Sequence, residues 1–552
     1  MTAAPNRSSI PPSPSATVNR FREAVEAYYE QTFENFPVTG SLAGRHEFDA
    51  TMEYPSPGLW RKQLRLVNRT LETIEDLPPQ DFGPSDMLDR RAMLSELRHN
   101  LFLHEQCERW RTNPMDYVET AADAIFDPFV RSGGQLSPET AQAILARMRK
   151  LPRYLAGAAE CIHRPEPIWK KQALDSVAGL KQILEDLATS ITQTLGRRPS
   201  DVLRCARKAQ AAADTFASDL KSIRATPAGS FAIGEPALTA LIHDRLGLPY
   251  SAREVEAFAN RLIGELDEAV QWEARRFDPK KTYHEILAEA AHQWQPGKNL
   301  LTVYETTVER VRQRFEEAGW ISLPGNERLL LRKTPPFMRS MFPTAAYSAP
   351  GPLDPDQTGI FWVNDQSQQV RTGAQRTAEL AQHFGIELTC AHEAYPGHHL
   401  QFIHQHRIPG LARKLSHHAI YYEGWTLWCE QMAADLEVTD NPYLRLIQLH
   451  DALWRAWRIV IDVGLQTGRL SCEAAARALT DHLDFTPARA EADVNWYTAA
   501  PSVPMSYMLG KMEVLRLKRR HVDTGPLSLR EFNDWLLAFG AIPWRWIEAS
   551  GL

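Results

Sequence analysis

Residues 391–401 read Ala-His-Glu-Ala-Tyr-Pro-Gly-His-His-Leu-Gln, and the chemistry of the chain is concentrated there. A His-Glu pair followed within two helical turns by further histidines is typical of zinc hydrolases, in which imidazoles bind the ion and the glutamate activates water. In the common HExxH arrangement the two histidines lie four residues apart on one helical face. Here Pro396 takes that position, and the next histidines follow His392 by six and seven residues. The stretch therefore predicts a metal site with widened ligand spacing on a helical scaffold.

The second histidine ligand is open between His398 and His399. In an unbroken helix, position i+6 is rotated by roughly 120° from His392, whereas i+7 returns to the same face about 10 Å along the axis. Pro396 removes a backbone donor and Gly397 can adopt a positive φ, so we expect a bulge that draws a later histidine back beside His392. His398, directly after the glycine, is the preferred candidate, and His399 is its rival.

A third ligand is expected, because catalytic zinc sites usually keep three protein ligands. Residues 417–430 read His-His-Ala-Ile-Tyr-Tyr-Glu-Gly-Trp-Thr-Leu-Trp-Cys-Glu and predict a helix that carries two glutamates. Glu423 precedes Gly424, which allows helices to approach closely, and it follows His398 by 25 residues. Glu423 is the predicted third ligand. Glu430, two turns further on, is expected to support a ligand.

Histidines are unevenly distributed along the chain. Seven of the 18 fall within 27 residues, at positions 392, 398, 399, 404, 406, 417 and 418. This clustering locates the functional site after residue 380, where the helical scaffold gives way to chemistry-bearing residues. The remaining members are expected to be surface or supporting residues: His404, His406, His417 and His418.

The composition of the 552 residues is that of a globular protein, with 43% hydrophobic and 24% charged residues. A net charge of -6 without a basic run argues against a nucleic-acid partner. The six widely spaced cysteines suit a reducing compartment, and the chain lacks an apolar run of roughly 18 residues, so we expect a cytoplasmic protein without a membrane partner. Residues 1–17, rich in Pro, Ser and Ala, are predicted to form a disordered leader.

Helical periodicity dominates from Val18 onward. It predicts helices over Phe21–Phe33, Asp86–Trp110, Pro138–Glu160, Ile168–Leu195 and Ser200–Ile223. The best strand candidate is Gly359–Asn364, a short run rich in β-branched and aromatic residues. The sequence therefore predicts a mainly α fold, with one large domain over residues 18–552 and a minor β element.

Three motifs resemble a bacterial family named domain of unknown function 885. They are HEAYPGHHLQ (392–401), EGWTLWCE (423–430) and MSYMLGKMEVLRL (505–517), and HEAxPGHHLQ is similar to the family's marker. Weaker likeness at Phe36-Pro37, at residues 44–49 and at residues 359–364 extends the resemblance over nearly the whole chain.

The resemblance implies more than the residues do. The family looks like a distant relative of helical zinc peptidases of the thimet-oligopeptidase type, in which a Gly-His pair and a later glutamate supply ligands. This likeness favours His398 and Glu423, and places the metal site, within residues 392–423, in a deep cleft with a C-terminal wall over 440–520. It also implies that Tyr507 faces the metal.

The chain departs from the family's expected pattern at three places. It has Pro501-Ser-Val-Pro-Met505 where a Pro-Gly-Gln run is expected, and Asp462-Val-Gly-Leu-Gln466 where the last residue would be histidine. It also has Trp496-Tyr497 in place of an Arg-Tyr pair. An intact metal motif with altered surroundings predicts an atypical substrate.

The predicted function is zinc-dependent hydrolysis of an amide bond in a peptide or peptide-like small molecule. One zinc ion per chain is expected, with Glu393 as the base that activates water and Tyr507 as the donor to the oxyanion. Two other classes remain open: a non-haem Fe(II) oxygenase that uses the same His-His-Glu set, and a binding protein that retains a metal without turnover. The adjacency of Glu393 to His392 favours the hydrolase, because an oxygenase does not need that base.

Overall fold

The computed structural model describes residues 15–196, 199–335, 339, 344–367, 370 and 372–552. The described chain is mainly helical with a small three-stranded sheet, which confirms the predicted fold class. The first helix begins at Ala16 with Ser15 as its cap, so residues 15–17 belong to the folded chain and not to the predicted leader. Residues 1–14 of that leader lie outside the described residues. Among the helices described, none combines the length and the apolar character needed to cross a bilayer.

The described residues up to 222 form nine α-helices, most of which start at or next to a proline. They are α1 (Ala16–Asn35), α2 (Pro37–Leu42), α3 (Pro57–Glu75), α4 (Pro84–Leu101), α5 (Arg109–Thr112), α6 (Met115–Arg131), α7 (Pro138–Cys161), α8 (Pro167–Leu195) and α9 (Pro199–Ser222). Proline suits the first helical turn because a backbone N–H there has no partner within the helix, so its absence costs nothing. The φ of proline is also already helical.

The predicted helix over residues 86–110 is confirmed as far as Leu101 and is wrong in the nine residues that follow. α4 ends at Leu101, a turn of π-helix follows over Phe102–Gln106, and α5 starts only at Arg109. Glu108 adopts a left-handed conformation with φ of 43°, and this residue redirects the chain. The apolar spacing is helical on both sides of the break and therefore does not reveal it.

Between positions 235 and 363, the part of the chain that the structure describes forms four α-helices and the sheet. They are α10 (Glu235–Asp244), α11 (Ala252–Ala274), α12 (Tyr283–Gln293), α13 (Leu300–Ala318), β1 (Arg328–Lys333), β2 (Ala345–Ser348) and β3 (Thr358–Val363). The strand order is β1-β3-β2, with β1 parallel and β2 antiparallel to β3. The predicted strand at 359–364 is β3, and residues 360–363 of β3 are buried. β2 is an edge strand of this sheet.

The C-terminal part carries the histidine-rich region. Its helices are α14 (Gly373–Ala381), α15 (Ile386–Glu393), α16 (His398–His406), α17 (Leu411–Lys414), α18 (Ala419–Asp435), α19 (Leu444–Gln466), α20 (Cys472–Leu483), α21 (Pro487–Ala499), α22 (Val503–Lys518), α23 (Leu529–Leu537) and α24 (Trp544–Ser550). α18 is buried along nearly its whole length and packs against α15, α19 and α22.

α18 and α22 cross at two glycines. A Cβ atom added to Gly424 would lie 2.6 Å from the backbone of Gly510, and one added to Gly510 would lie 2.1 Å from the carbonyl oxygen of Ile420. Only glycine permits this backbone contact. The crossing brings the residue before Gly424, which is Glu423, close to Tyr507 one turn before Gly510.

Candidate metal centre

The connection between α15 and α16 folds the two histidine-bearing helices against each other. α15 ends at Glu393 and α16 begins at His398, so the chain makes a full turn where the sequence predicts a bulge. The Tyr395-Pro396 peptide bond is cis. Gly397 has a φ of -71°, not the expected positive value, and a Cβ there would lie 1.8 Å from the carbonyl oxygen of His392. Glycine is therefore required by the close approach of two backbone segments.

Three side chains from three helices meet at one point. His392 is the second-last residue of α15, His398 begins α16, and Glu423 lies on the second turn of α18. The Nε2 atoms of His392 and His398 lie 3.8 Å and 3.7 Å from Oε2 of Glu423, and the three candidate ligand atoms are all within 4.8 Å of one another. Tetrahedral zinc, with bonds of roughly 2.0–2.1 Å, separates its ligand atoms by roughly 3.3–3.4 Å. Small side-chain movements would close that difference.

The hydrogen-bond status of Glu423 tests whether a cation fits this site. Its Oε2 atom is buried and has no hydrogen-bond partner among the described residues, although two imidazole nitrogens face it. An unpaired buried carboxylate oxygen is unfavourable, and a cation between the three ligand atoms would remove that cost. Each of the three side chains keeps 11–13% of its surface exposed, so the site is enclosed but not sealed.

Glu430 fixes the orientation of His392. Its Oε1 atom lies 2.8 Å from Nδ1 of His392, which leaves Nε2 free to point at Glu423. Arg455 lies behind Glu430, with 3.9 Å between Nη2 and Oε1. Burial alone would lower the pKa of His392, but the hydrogen bond to Glu430 and the neighbouring carboxylates outweigh it and raise that pKa. A carboxylate behind a histidine is a common support for a metal ligand.

His399 belongs to a different network. Its Nε2 atom lies 2.6 Å from Oε2 of Glu327, and its Nδ1 atom lies 3.1 Å from the hydroxyl of Tyr347. The hydroxyl of Tyr395 donates to the same oxygen of Glu327. His399 is fully buried, and both of its ring nitrogens are used. In this structure it is therefore His398, and not His399, that shares a space with His392 and Glu423.

Glu393 lies against the edge of the sheet. The backbone N–H of Tyr347 in β2 donates to its carboxylate. Burial raises the pKa of Glu393, Glu430 raises it further, and His392 and the N–H of Tyr347 only partly offset this shift. A carboxyl group with a raised pKa next to a candidate metal site is suited to accept and return a proton.

Tyr507 reaches the same site from α22. Its hydroxyl forms a hydrogen bond with Glu423. Burial raises the pKa of Glu423 to about 7, although His392, this hydrogen bond and the Arg458 guanidinium lower it. The Arg458 guanidinium lies 4.7 Å from the centre of the Tyr507 ring and donates from Nε to the hydroxyl of Tyr497 at 3.0 Å. The structure thus places Tyr507 beside the three candidate ligands.

Two of the predicted supporting histidines hold the scaffold. His418 is buried, with Nδ1 at 3.0 Å from the carbonyl oxygen of Ala541 and Nε2 at 3.2 Å from Oγ of Ser95. Nδ1 of His406 lies 2.7 Å from Oε1 of Gln357. These contacts bind distant segments together and lie apart from the three candidate ligands.

The tryptophans of α18 pack and fix the turn. Trp425 is fully buried and donates from Nε1 to the carbonyl oxygen of Pro396 at 2.8 Å. Trp428 donates to Asn533 at 2.9 Å. Both tryptophans are therefore buried packing residues, and Trp425 in addition fixes the turn between the two histidine-bearing helices.

The three places where the sequence departs from the pattern of the family that it resembles come together in space. Oδ2 of Asp462 on α19 accepts from the backbone N–H of Met505 at 3.4 Å, and Nε2 of Gln466 donates to the carbonyl oxygen of Tyr497 at 3.0 Å. These contacts tie α19 to α21 and to the start of α22. The altered residues therefore border the helix that carries Tyr507.

Glu327, Tyr347 and Tyr422 are residues of the site region that the sequence reasoning missed. Glu327 and Tyr347 hold His399, and the Tyr422 ring lies 6.1 Å from that of His398. For Tyr422 a signal exists, because it immediately precedes Glu423. Glu327 and Tyr347 are more than 50 residues from His399 and have no such signal.

Comparisons with known proteins agree on the family and the fold. A family described as "Bacterial protein of unknown function (DUF885)" matches residues 37–550. A structure titled as a "putative lipoprotein of unknown function" from Shewanella oneidensis is similar with a TM-score of 0.74 at 17% identity, over 96% of this chain and 99% of that one. A "putative lipoprotein" from Colwellia psychrerythraea has a TM-score of 0.73 at 17% identity, over 97% and 98%. No curated protein matches the chain.

Proposed function

The chain belongs to the bacterial DUF885 family, whose function is unknown, and we propose that it is a zinc-dependent hydrolase of amide bonds in peptides or peptide-like small molecules. One observation carries the proposal: the buried Oε2 atom of Glu423, which has no hydrogen-bond partner among the described residues, faces the Nε2 atoms of His392 and His398. Two imidazoles and one carboxylate form a ligand set that catalytic zinc sites use. We propose one zinc ion per chain.

A zinc ion held by these side chains would supply Lewis-acid activation of a carbonyl group and of a water molecule. The protein residues then account for the proton transfers. Glu393, with its raised pKa, accepts a proton from the attacking water and delivers it to the leaving amine. Tyr507 is placed to donate its hydroxyl proton in a hydrogen bond to the oxyanion that develops on the substrate carbonyl.

The test is the substitution Glu393→Gln in zinc-loaded protein, assayed on a library of short peptides. Because the change removes the base and keeps the shape, we expect kcat to fall by about 10²–10⁴-fold with zinc content unchanged. Glu387→Gln is the matched control, since Glu387 lies on the same helix but is hydrogen-bonded to Thr439 and Asn441. Loss of zinc from Glu393→Gln would make Glu393 a ligand and overturn the assigned roles.

Elemental analysis separates this proposal from the other metal chemistry. We expect about one equivalent of zinc in metal-replete protein. Stoichiometric iron together with oxygen-dependent turnover would replace the hydrolase by an oxygenase. Bound zinc without turnover of any peptide in the library would leave a metal-retaining binding protein.

We also propose that the site lies in a deep cleft with one wall over residues 440–520, which restricts substrates to small or unstructured molecules. Support comes from the low exposure of the three candidate ligands. Short peptides should be cleaved and folded proteins left intact. Rapid digestion of a folded protein or of casein into many internal fragments contradicts this restriction.

We also propose that the protein is located in the cytoplasm. All six cysteines are free, which suits a reducing environment. The two similar structures carry the name lipoprotein, and a lipid anchor shared with them would place this chain at a membrane. Fractionation of cells that produce the full-length protein distinguishes the two, and recovery in the membrane fraction overturns the proposal.

A further inference from the structure

A cavity of about 440 Å³ lies among the N-terminal helices α1, α3, α4 and α6. Its size is within the range of small-molecule sites. Leu415 and His417, just before α18, also line it. The ring of His417 lies 6.4 Å from that of Tyr422, and the ring of Tyr422 lies 6.1 Å from that of His398. A single aromatic side chain therefore separates the cavity from a predicted metal ligand.

The walls of the cavity are rich in aromatic rings, eight of which belong to Phe, Tyr or Trp. Trp60 lies among them, with its ring centre 5.1 Å from that of Phe36 and 6.1 Å from that of Trp110. Its Nε1 atom donates to the hydroxyl of Tyr117 at 3.0 Å, which fixes the ring. The faces of such rings carry partial negative charge and attract organic cations.

The charged groups of the lining have one sign. Glu53, Glu96 and Asp116 line the cavity, and no lysine or arginine does so in the described part of the chain. Glu96 is paired with Arg245 at 3.2 Å, and Asp116 with Arg109 at 2.6 Å. Glu53 is thus the carboxyl group of the lining that forms no ion pair among the described residues.

Glu53 is buried, and its contacts are with backbone N–H groups. Its Oε2 atom accepts from the backbone N–H of Val38 at 3.3 Å. Burial raises the pKa of Glu53, and the backbone N–H groups of Glu53 and Val38 and the Arg147 guanidinium offset this shift only in part. The Arg147 guanidinium itself donates to three backbone carbonyl oxygens. A cation bound beside Glu53 would favour the ionised form of its carboxyl group. The two lining histidines add no positive charge, because burial lowers the pKa of His104 to about 4 and also lowers the pKa of His417.

We propose that this cavity binds an organic cation, an ammonium or guanidinium group on an apolar stem, with Glu53 as its counter-charge and Trp60 as an aromatic wall. The cation is part of the substrate that reaches the metal centre past Tyr422, a step that rests on the proposed hydrolase function. The preferred substrates are therefore peptides or amides that carry a basic side chain or a terminal amine near the cleaved bond.

Binding is tested first without turnover, by calorimetry on zinc-loaded protein. Benzyltrimethylammonium and its uncharged isostere neopentylbenzene have the same shape and differ in charge. The cation should bind at least about tenfold more tightly, since desolvated cation–aromatic contacts and a carboxylate act on it alone. Equal binding of the two compounds, or binding of neither, overturns the proposal without any variant.

Glu53→Gln is the decisive variant, and it should remove the preference for the cation while leaving the affinity for the neutral compound unchanged. Glu34→Gln is the matched control, because Glu34 is exposed on α1 and does not line the cavity. Thermal unfolding of each variant shows whether it is folded. A folded Glu53→Gln protein that retains the preference excludes Glu53 as the counter-charge and overturns its role.

Turnover separates this inference from the proposed function. Peptides that differ only by arginine or citrulline should show a higher kcat/KM for arginine, and Glu53→Gln should abolish the difference. Cation binding by a protein that cleaves no peptide would support the proposed cation site and contradict the proposed hydrolase function. If both peptides are cleaved with equal kcat/KM and the cation does not bind, the hydrolase function is supported and the cation site is contradicted.

Discussion

The surroundings of His398 and those of His399, neighbours at the start of α16, differ in how completely their polar groups are paired. Around His399, both ring nitrogens contact hydroxyl or carboxylate oxygens, and Glu327 receives two donors. Around His398, its own Nδ1 and the Oε2 atom of Glu423 are buried and lack a partner among the described residues. Buried polar groups in folded proteins are normally paired.

Whether the polar atoms are paired distinguishes a cluster that stabilises the fold from one that can bind a ligand, and it does so more clearly than burial. A network whose donors and acceptors are all used stabilises the fold and has no capacity for a ligand. A cluster that leaves ligand-type atoms unpaired toward a shared point has that capacity. The following substitutions test this distinction, beginning with the largest expected effect.

The first pair of variants is His398→Ala and His399→Ala. We expect His398→Ala to lower zinc affinity by more than about 100-fold, because residues that merely support a ligand already change it by 10–100-fold. His399→Ala should leave the affinity close to that of the unmodified protein. Competition with a chromogenic chelator measures both. Similar losses, or a larger loss for His399→Ala, would reverse the assignment of the two networks.

Tyr507→Phe tests the side of the site that contributes no ligand. Its hydroxyl bonds to Glu423, and an oxyanion donor acts mainly in the transition state. We expect kcat to fall by about 100-fold with little change in KM and with zinc retained. Steady-state kinetics with the best peptide substrate gives this result directly. Full kcat in the Phe variant would reduce Tyr507 to a packing residue.

Glu430→Gln addresses the support of the ligand cluster. The neutral amide can still contact Nδ1 of His392, but it no longer strengthens the imidazole as a ligand by its charge. Zinc affinity should fall by about 10–100-fold. A variant with unchanged affinity would show that the charge of Glu430 serves to neutralise Arg455 instead.

Glu327→Ala probes the paired network and should have the smallest effect on the site. It leaves the buried His399 and Tyr395 without their shared acceptor, so the free energy of unfolding should fall by about 1–3 kcal/mol. Zinc affinity should not change. Urea unfolding monitored by circular dichroism measures the free energy of unfolding, and the chelator assay measures zinc affinity. A loss of zinc affinity would show that the residues around His399 also support the metal site.

Sequence reasoning performs best where a signal is local. Apolar spacing predicts α7, α8 and α9 to within two residues at each end, because each is a long amphipathic helix that starts at or near a proline. It misses β1 and β2, since Arg-Leu-Leu-Leu-Arg-Lys does not alternate and Ala-Ala-Tyr-Ser is only four residues long.

The residues of the candidate site likewise fall into those that a local sequence signal predicts and those that it does not. His392, Glu393, His398 and Glu423 are named from spacing and family motif, and the structure brings them together, while metal binding stays a prediction. The assignment of Glu327 to His399 lay beyond sequence reasoning, because these residues are 72 positions apart and meet only through the packing of the sheet against α16. Spacing alone left the choice between His398 and His399 open, because they follow His392 by six and seven residues.

The contact between α18 and α22 at Gly424 and Gly510 joins the helices that carry the candidate ligands to the helix that carries Tyr507. The three candidate ligands lie on α15, α16 and α18, whereas Tyr507 lies on α22. A methyl group at position 424 or 510 would act as a spacer that lifts α22 from α18. Such a spacer would move the phenol and leave the ligand triangle intact, so changes at this crossing could alter reactivity without altering metal content.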